Sequence, residues 1–441
     1  MNMAEGSDHE KVLTDASTIK PITLKVFTSD PSVFFEELFE SGKGTTAGQI
    51  KEVVLSRLQL PRSSDVFSLW LVSKHLQLQL KPYHFPCKLF KRWSELLGQF
   101  TTASYEDIEA GDEPILVLQR NAFLRIEEER ELLSRLRHPE SMAADQIKVV
   151  VNLLYWEAMD NVIRGHYPMT VDELHMLAGY QAAIEIDLLP DTVTIDNLRP
   201  HLPSLYPSHM LDRGVFTKVM SLLFRSSGSG LENKMIESYK LACQMRDGCD
   251  PFNLKVLYLQ LCWSKPFYGS VRFVGQIEPS TRLIHRVAYQ DQPITVAINP
   301  DCIHLFDAGQ PSETLLYLTY DQLSWAFEPS TEEGENFYSC LWVEFDSFIR
   351  GPNGEDQRVA KRIQIFSRQA PMMDAMIEHC VEGINSSEAG LRQDQGDTLD
   401  PHHVWKAQDH QHRKKELNED RLPCTVMLHD DLKQLTLESN F

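Results

Sequence analysis

The spacing of apolar residues changes twice along this chain, and that change limits what it can fold into. Residues 18–120 alternate apolar and polar side chains with a period of two. Residues 121–262 repeat apolar positions every three or four residues, and from Tyr268 the two-residue period returns. A period of two buries one face of a strand, whereas a period near 3.6 buries one stripe of a helix. The sequence therefore predicts a strand-rich unit, an all-helical unit and a second strand-rich unit, in that order. A length of 441 residues accommodates three such units at about 100–200 residues each.

In the first unit Ile22, Leu24 and Val26 alternate with polar neighbours, and a second apolar run follows at 33–38 after the Asp30-Pro31 turn signal. Thr46 and Gln49 have the spacing of a capping box, which predicts a helix with Ile50, Val53, Val54 and Leu58 on its apolar face and Pro61 at its end. Runs at 67–72, 76–81 and 115–120 read as further strands. Strand, strand, helix and more strands is the order of a ubiquitin-like β-grasp.

The helical unit shows a stripe of Ile147, Val150, Val151, Leu154, Tyr155, Ala158 and Val162 over 145–164. A break follows at 165–168. A second capping box, Thr170 with Glu173, opens a helix facing one side with Val171, Leu174, Leu177, Ala178 and Ala182. Helices are also expected near 122–137, 211–225 and 231–247. In the third unit, strands are expected at 269–277, 294–298, 302–306, 315–320, 323–327, 340–345 and 362–367, followed by a helix over 369–384. Seven strands and a closing helix is the pattern of a pleckstrin-homology or phosphotyrosine-binding (PH/PTB-like) sandwich. Residues 1–17 and 386–441 are polar and read as disordered, with a short apolar segment at 426–437.

Composition narrows function. A net charge of −20 repels phosphate backbones, so nucleic acid is not expected as a partner. No run approaches the roughly 20 apolar residues that span a bilayer, and no signal peptide, N-myristoylation or prenylation is expected. The eight cysteines include no Cys-x-x-Cys pair and read as buried thiols of a reducing compartment. Gly42-Lys43-Gly44-Thr45-Thr46 has its lysine ahead of the second glycine, the wrong order for a phosphate loop, so a helix cap explains it. Neither hydrolase, zinc-protease nor kinase motifs occur. His402, His403, His410 and His412 lie in the polar tail and are not expected to form a metal site. No cofactor and no catalytic residue are expected.

β-grasp, helical bundle and pleckstrin-like sandwich, in that order, resemble the FERM family. DQIKVVVNLLYWEAMDNVIRGHYPMTVDELHMLAGYQAAIEI is similar to the central FERM lobe, IESYKLACQM to that lobe's last helix, and KPFYGSVRF to the entry into the third lobe. DVFSLWLVSKHLQLQLKPYHFPCKL, LSWAFEPSTEE and LWVEFD point within the family to the Bili-type, iRhom-binding subfamily. The resemblance covers roughly 18–385. It implies an α+β fold of three lobes: a ubiquitin-like lobe at 18–120, an acyl-CoA-binding-protein-like helical lobe at 121–262 and a PH/PTB-like lobe at 263–385. It also implies a non-enzymatic cytoplasmic adaptor, recruited to the plasma membrane by the tails of membrane proteins. Those tails would be iRhom pseudoproteases in a complex with a cell-surface sheddase, with a Wnt co-receptor as a further candidate. The alternative is a FERM module whose main ligand is a phosphoinositide or a small GTPase.

Two site candidates follow. A peptide can add to an exposed strand edge beside a helix. That groove would be formed by Leu323, Trp325 and Phe327 on the strand and Met372, Met373, Met376 and Cys380 on the closing helix, methionine being adaptable. Lys88, Lys91 and Arg92 form a basic patch able to touch a lipid surface. A second basic run, Arg120 to Arg137, is interleaved with Glu127, Glu128, Glu129 and Glu131 and reads as a solvated face.

Overall fold

The computed structural model describes residues 20–395, apart from 62–63, 105, 107–110, 135–143, 187–189, 209, 212–229, 246–250, 278–290, 311–313, 331–337 and 351–355. The expectations for 1–17, for the helix near 211–225 and for the tail beyond Gln395 lie outside the described residues.

The first lobe contains β1 (Ile22–Thr28), β2 (Phe34–Phe39), α1 (Ala47–Arg57), β3 (Phe67–Val72), β4 (Gln77–Gln79), α2 (Pro86–Lys91), α3 (Trp93–Phe100) and β5 (Ile115–Arg120). Its strands order as β2-β1-β5-β3-β4, with β1 and β5 parallel at the centre, the arrangement of a β-grasp. The capping box forms: the Thr46 hydroxyl accepts from the Gln49 amide, and Gln49 accepts from the Thr46 amide. Ile50, Val54 and Leu55 bury the inner face of α1, while Val53 and Leu58 are only partly covered. Helices α2 and α3 carry too few turns to show a period in the sequence, and the strand expected at 76–81 shortens to three residues.

The second lobe contains α4 (Ile126–Ser134), α5 (Ala144–Ile163), α6 (Val171–Glu185), two single-turn helices at 195–198 and 202–205, α7 (Gly230–Met245) and α8 (Phe252–Trp263). All seven expected stripe residues of α5 are buried. On α6, Val171 proves exposed at the mouth of the helix, whereas Leu174, Leu177, Ala178 and Ala182 are buried. Helices α6 and α7 cross at Gly179, where a Cβ would lie 2.7 Å from the Ser238 backbone, so only glycine permits this approach. Helix α8 packs against both α5 and α6, and its few polar residues, with Asn253 and Gln260 exposed, mark no clear stripe in the sequence.

The third lobe contains β6 (Val271–Ile277), β7 (Gln292–Ile298), β8 (Cys302–Asp307), β9 (Thr314–Thr319), β10 (Leu323–Glu328), β11 (Cys340–Arg350), β12 (Asp356–Phe366) and α9 (Ala370–Gln395). The strand order is β10-β11-β12-β6-β7-β8-β9, and β12 meets β6 through one residue pair, Phe366 with Gln276. The sheet thus bends into two halves closed by α9, as expected of a pleckstrin-like sandwich. Strands β11 and β12 are 11 residues each, longer than the runs expected at 340–345 and 362–367.

The lobes share cores. One buried cluster runs through the first two lobes and takes in Ala297 and Phe306 of the third. The other fills the third lobe and includes Trp70 from the first and Ala122 from the start of the second. These shared residues fix how the lobes sit together.

Candidate functional site

Strand β10 lies at one edge of the third-lobe sheet. It pairs with β11, and its other side carries no strand among the described residues. Helix α9 packs beside it. Leu323, Trp325, Met373, Met376 and Cys380 are all buried in one cluster, with Phe327 and Met372 half-buried against it. The Trp325 indole N–H donates to the Asp374 carboxylate at 2.9 Å and ties strand to helix. The structure therefore brings the seven expected residues together as interior packing. Burial pushes the Cys380 thiol up to about 11, so it is no thiolate at neutral pH. Ser324 and Ala326 of β10 are buried as well, and Met372 also lines a cavity between the lobes.

Lys88 and Lys91 occupy the last turn of α2, with Arg92 just beyond it, and all three are exposed. The Lys88 ammonium stands 4.1 Å from the centre of the Phe85 ring, and Arg92 holds Glu95 through two hydrogen bonds of 2.9 and 2.6 Å. Arg92 is thus already neutralised. The neighbouring α3 touches the third lobe, since the Arg368 guanidinium donates to the carbonyls of Gly98 and Thr101.

The second basic run is not a solvated face at its centre. Arg120 and Glu129 are 3% and 1% exposed and ion-paired. Arg120 also donates to the carbonyls of Leu124 and Asn121, and its backbone N–H donates to the Glu157 carboxylate at 2.7 Å. Glu129 accepts from the Trp263 indole at 2.8 Å and the Tyr268 hydroxyl at 3.0 Å. Burial opposes the Arg120 charge, but Glu129 outweighs it and raises the guanidinium above its ordinary value. Gly269, at φ +68°, donates its N–H to the Tyr167 hydroxyl. This node joins the end of β5, the helical lobe and the first residues of the third lobe. In the sequence Tyr268-Gly269 reads only as a lobe entry, and a Glu-Arg partnership 9 residues apart across a strand end carries no local signal.

Beside the node lies a cavity of about 710 Å³ where the lobes meet, walled by Trp70 and His75 of the first, Glu157 and Tyr167 of the second, and Arg272 of the third. Burial pushes the Glu157 carboxyl up to about 7, against the opposing pull of the Arg120 amide and charge. Among the described residues no cluster of three or more His, Cys, Asp or Glu could hold a metal ion. None of the described helices is long and apolar enough to cross a membrane.

Comparison with known proteins agrees with this architecture. The family model of the FERM central domain matches residues 144–273. Human FERM domain-containing protein 8 is 33% identical over 370 residues, covering 81% of this chain and 73% of that protein. The Danio rerio protein of that name is 31% identical over 366 residues, covering 81% and 72%. Among solved structures, the MyTH4-FERM domain of human myosin 7b, in complex with the harmonin-a PDZ3 domain, superposes with a TM-score of 0.51 at 15% identity. That match covers 82% of this chain and 60% of the myosin chain. The myosin VII MF2 domain of Dictyostelium discoideum likewise gives 0.51 at 14% identity, over 82% and 58%. At those identities the structures show the fold alone, while the sequence relatives, matched along nearly three quarters of their length, show that the chain belongs to the FERM domain-containing protein 8 family.

Proposed function

We propose that the chain is a non-enzymatic adaptor that captures an extended segment of a membrane protein's cytoplasmic tail along β10. The observation that carries this reading is the place of β10 at the end of the third-lobe sheet beside α9, with no strand on its other side among the described residues. Main-chain pairing of an added strand would supply affinity without requiring side-chain access to the buried methionines. Residues 18–385 form the binding unit, divided into lobes at 18–120, 121–262 and 263–385. By family resemblance the bound tail is that of an iRhom pseudoprotease. The adaptor thereby stabilises a cell-surface sheddase complex, and a Wnt co-receptor tail is a second ligand through which it restrains signalling. The protein works in the cytoplasm, held at the plasma membrane by its partner. A FERM-containing myosin that binds a PDZ domain supports the general role of this fold in docking proteins.

The test is isothermal titration of the purified full chain with synthetic iRhom and Wnt co-receptor tail peptides. Saturable micromolar binding is expected. A folded protein that ignores every tail peptide and instead binds phosphoinositide vesicles through Lys88 and Lys91 would replace this reading with the lipid-directed one.

A further inference from the structure

Phe34 and Leu38 are 48% and 60% exposed, on the strand that ends the first-lobe sheet. That strand, β2, pairs with β1 alone, and among the described residues no other element hydrogen-bonds to its main chain. Only Phe39 of its six residues is buried. An edge of this kind is a template for a further strand, and proteins commonly cover it or charge it. The apolar face beside it continues packing that the molecule already uses. Register sets Phe34 opposite Phe27, Phe27 opposite Val117 and Val117 opposite Trp70, so the four side chains share one face of the sheet. Trp70 sits in the third-lobe core, Val117 is buried, Phe27 is half-buried and Phe34 is open. Ile115, 45% exposed, lies on the same face two residues before Val117. The apolar row thus starts inside the contact between lobes and runs uncovered to β2. An exposed apolar patch of this sort marks a docking surface.

The charges decide what fits. Lys25 stands opposite Glu36, yet its ammonium lies over the rings, 4.1 Å from the Phe34 centre and 4.9 Å from that of Phe27. Among the described residues no hydrogen bond or ion pair holds the Glu36 carboxylate. Glu37, on the other face, is taken by Arg57. A second copy of the chain matches poorly. Antiparallel pairing of β2 with itself that sets Phe34 against Leu38 also sets Glu36 against Glu36, and like charges directly opposite repel. A strand with lysine or arginine at that place matches well, and a net charge of −20 favours its approach.

We propose that the β2 edge captures an extended peptide segment in which every second residue reads apolar, basic, apolar. The two apolar side chains lie against Phe34 and Leu38, the basic one pairs with Glu36, and the peptide main chain adds to the sheet. This surface belongs to the first lobe. It goes beyond tail docking on β10 and does not rest on it.

The test is titration of the full chain with a synthetic peptide of the pattern Val-Thr-Lys-Thr-Val, and with the same peptide carrying glutamate in place of lysine. The lysine peptide is expected to bind saturably and to slow amide exchange along Phe34–Phe39, and the glutamate peptide to bind far more weakly. Leu38→Ser, at an exposed position, should leave Tm unchanged and weaken binding about fivefold. Glu36→Lys should weaken the lysine peptide by a similar factor and strengthen the glutamate peptide, an exchange of preference that a merely disrupted edge would not produce. No binding of the lysine peptide, equal binding of both peptides, binding indifferent to both variants, or protection that maps to Leu323–Glu328 overturns the proposal. A dimer of the free chain in sedimentation equilibrium that Leu38→Ser dissociates also overturns it, by giving the edge to a second copy.

Discussion

The Arg120 guanidinium and the Glu129 carboxylate form an ion pair inside the protein, at the point where the first lobe ends and the second begins. Both groups are almost wholly shut off from water, and the second carboxylate oxygen of Glu129 accepts from Trp263 at the end of α8 and from Tyr268 at the start of the third lobe. One pair thus fixes the angle between the first two lobes and the take-off of the third. That rigidity presents β10 and the inter-lobe cavity in a constant relation.

Removing one partner leaves a buried charge uncompensated, which typically costs about 3–5 kcal/mol. Arg120→Met is therefore expected to lower unfolding stability by that amount in urea titrations. Arg120→Met combined with Glu129→Leu should recover part of the loss but not all, because the Trp263 and Tyr268 donors stay unpaired.

Gly269 stands against the same guanidinium. A Cβ there would lie 2.4 Å from Arg120 Nη1, and the backbone is at φ +68°. The guanidinium is held by its own hydrogen bonds and cannot retreat, so Gly269→Ala should cost about 2 kcal/mol or more. Gly98 in α3 meets nothing within 4 Å, and Gly98→Ala should gain about 0.5–1 kcal/mol. Parallel thermal unfolding of the two variants checks both signs.

Glu157 makes stability depend on pH. Its carboxyl sits at about 7 when folded and near the ordinary 4.5 when unfolded. The folded state therefore holds the proton more tightly, and the contribution is fully present below about pH 4.5 and lost as pH rises to about 7. Glu157→Gln should be more stable than wild type by about 1–3 kcal/mol at pH 8, with the difference vanishing near pH 4.5. A difference that grows toward acid would contradict this assignment.

Trp325 is 3% exposed and anchored to Asp374, so it belongs to the third-lobe core. Trp325→Ala is expected to destabilise by about 3–5 kcal/mol through the cavity it leaves. Asp374→Asn, which keeps an acceptor, should change stability by less than about 1 kcal/mol. Circular dichroism melts of both separate the packing role from any part in binding.

Period and capping made much of the fold legible. The α5 stripe and the two capping boxes, Thr46 with Gln49 and Thr170 with Glu173, form where the spacing places them. Helix α8 was not legible because its polar residues, Asn253, Lys255 and Gln260, are too few among the apolar ones to reveal a period. The candidate groove was legible as a location, since Leu323 to Phe327 form an edge strand against the closing helix. That Met373, Met376 and Cys380 face inward was not, because a stripe on a terminal helix reads the same whether it packs on its own sheet or on a ligand. The Arg120 node was hidden for another reason. Its partners come from the helical lobe and the start of the third, and charges that look solvated in a local window are brought inside by long-range packing.

Docking along β10 is tested most directly by amide hydrogen exchange of the full chain with and without a binding tail peptide. Slowed exchange concentrated at Leu323–Glu328, with little change along β2 or β9 at the other sheet edges, is the predicted result. Protection that maps elsewhere, or tail binding that leaves the β10 amides exchanging as before, would contradict the account.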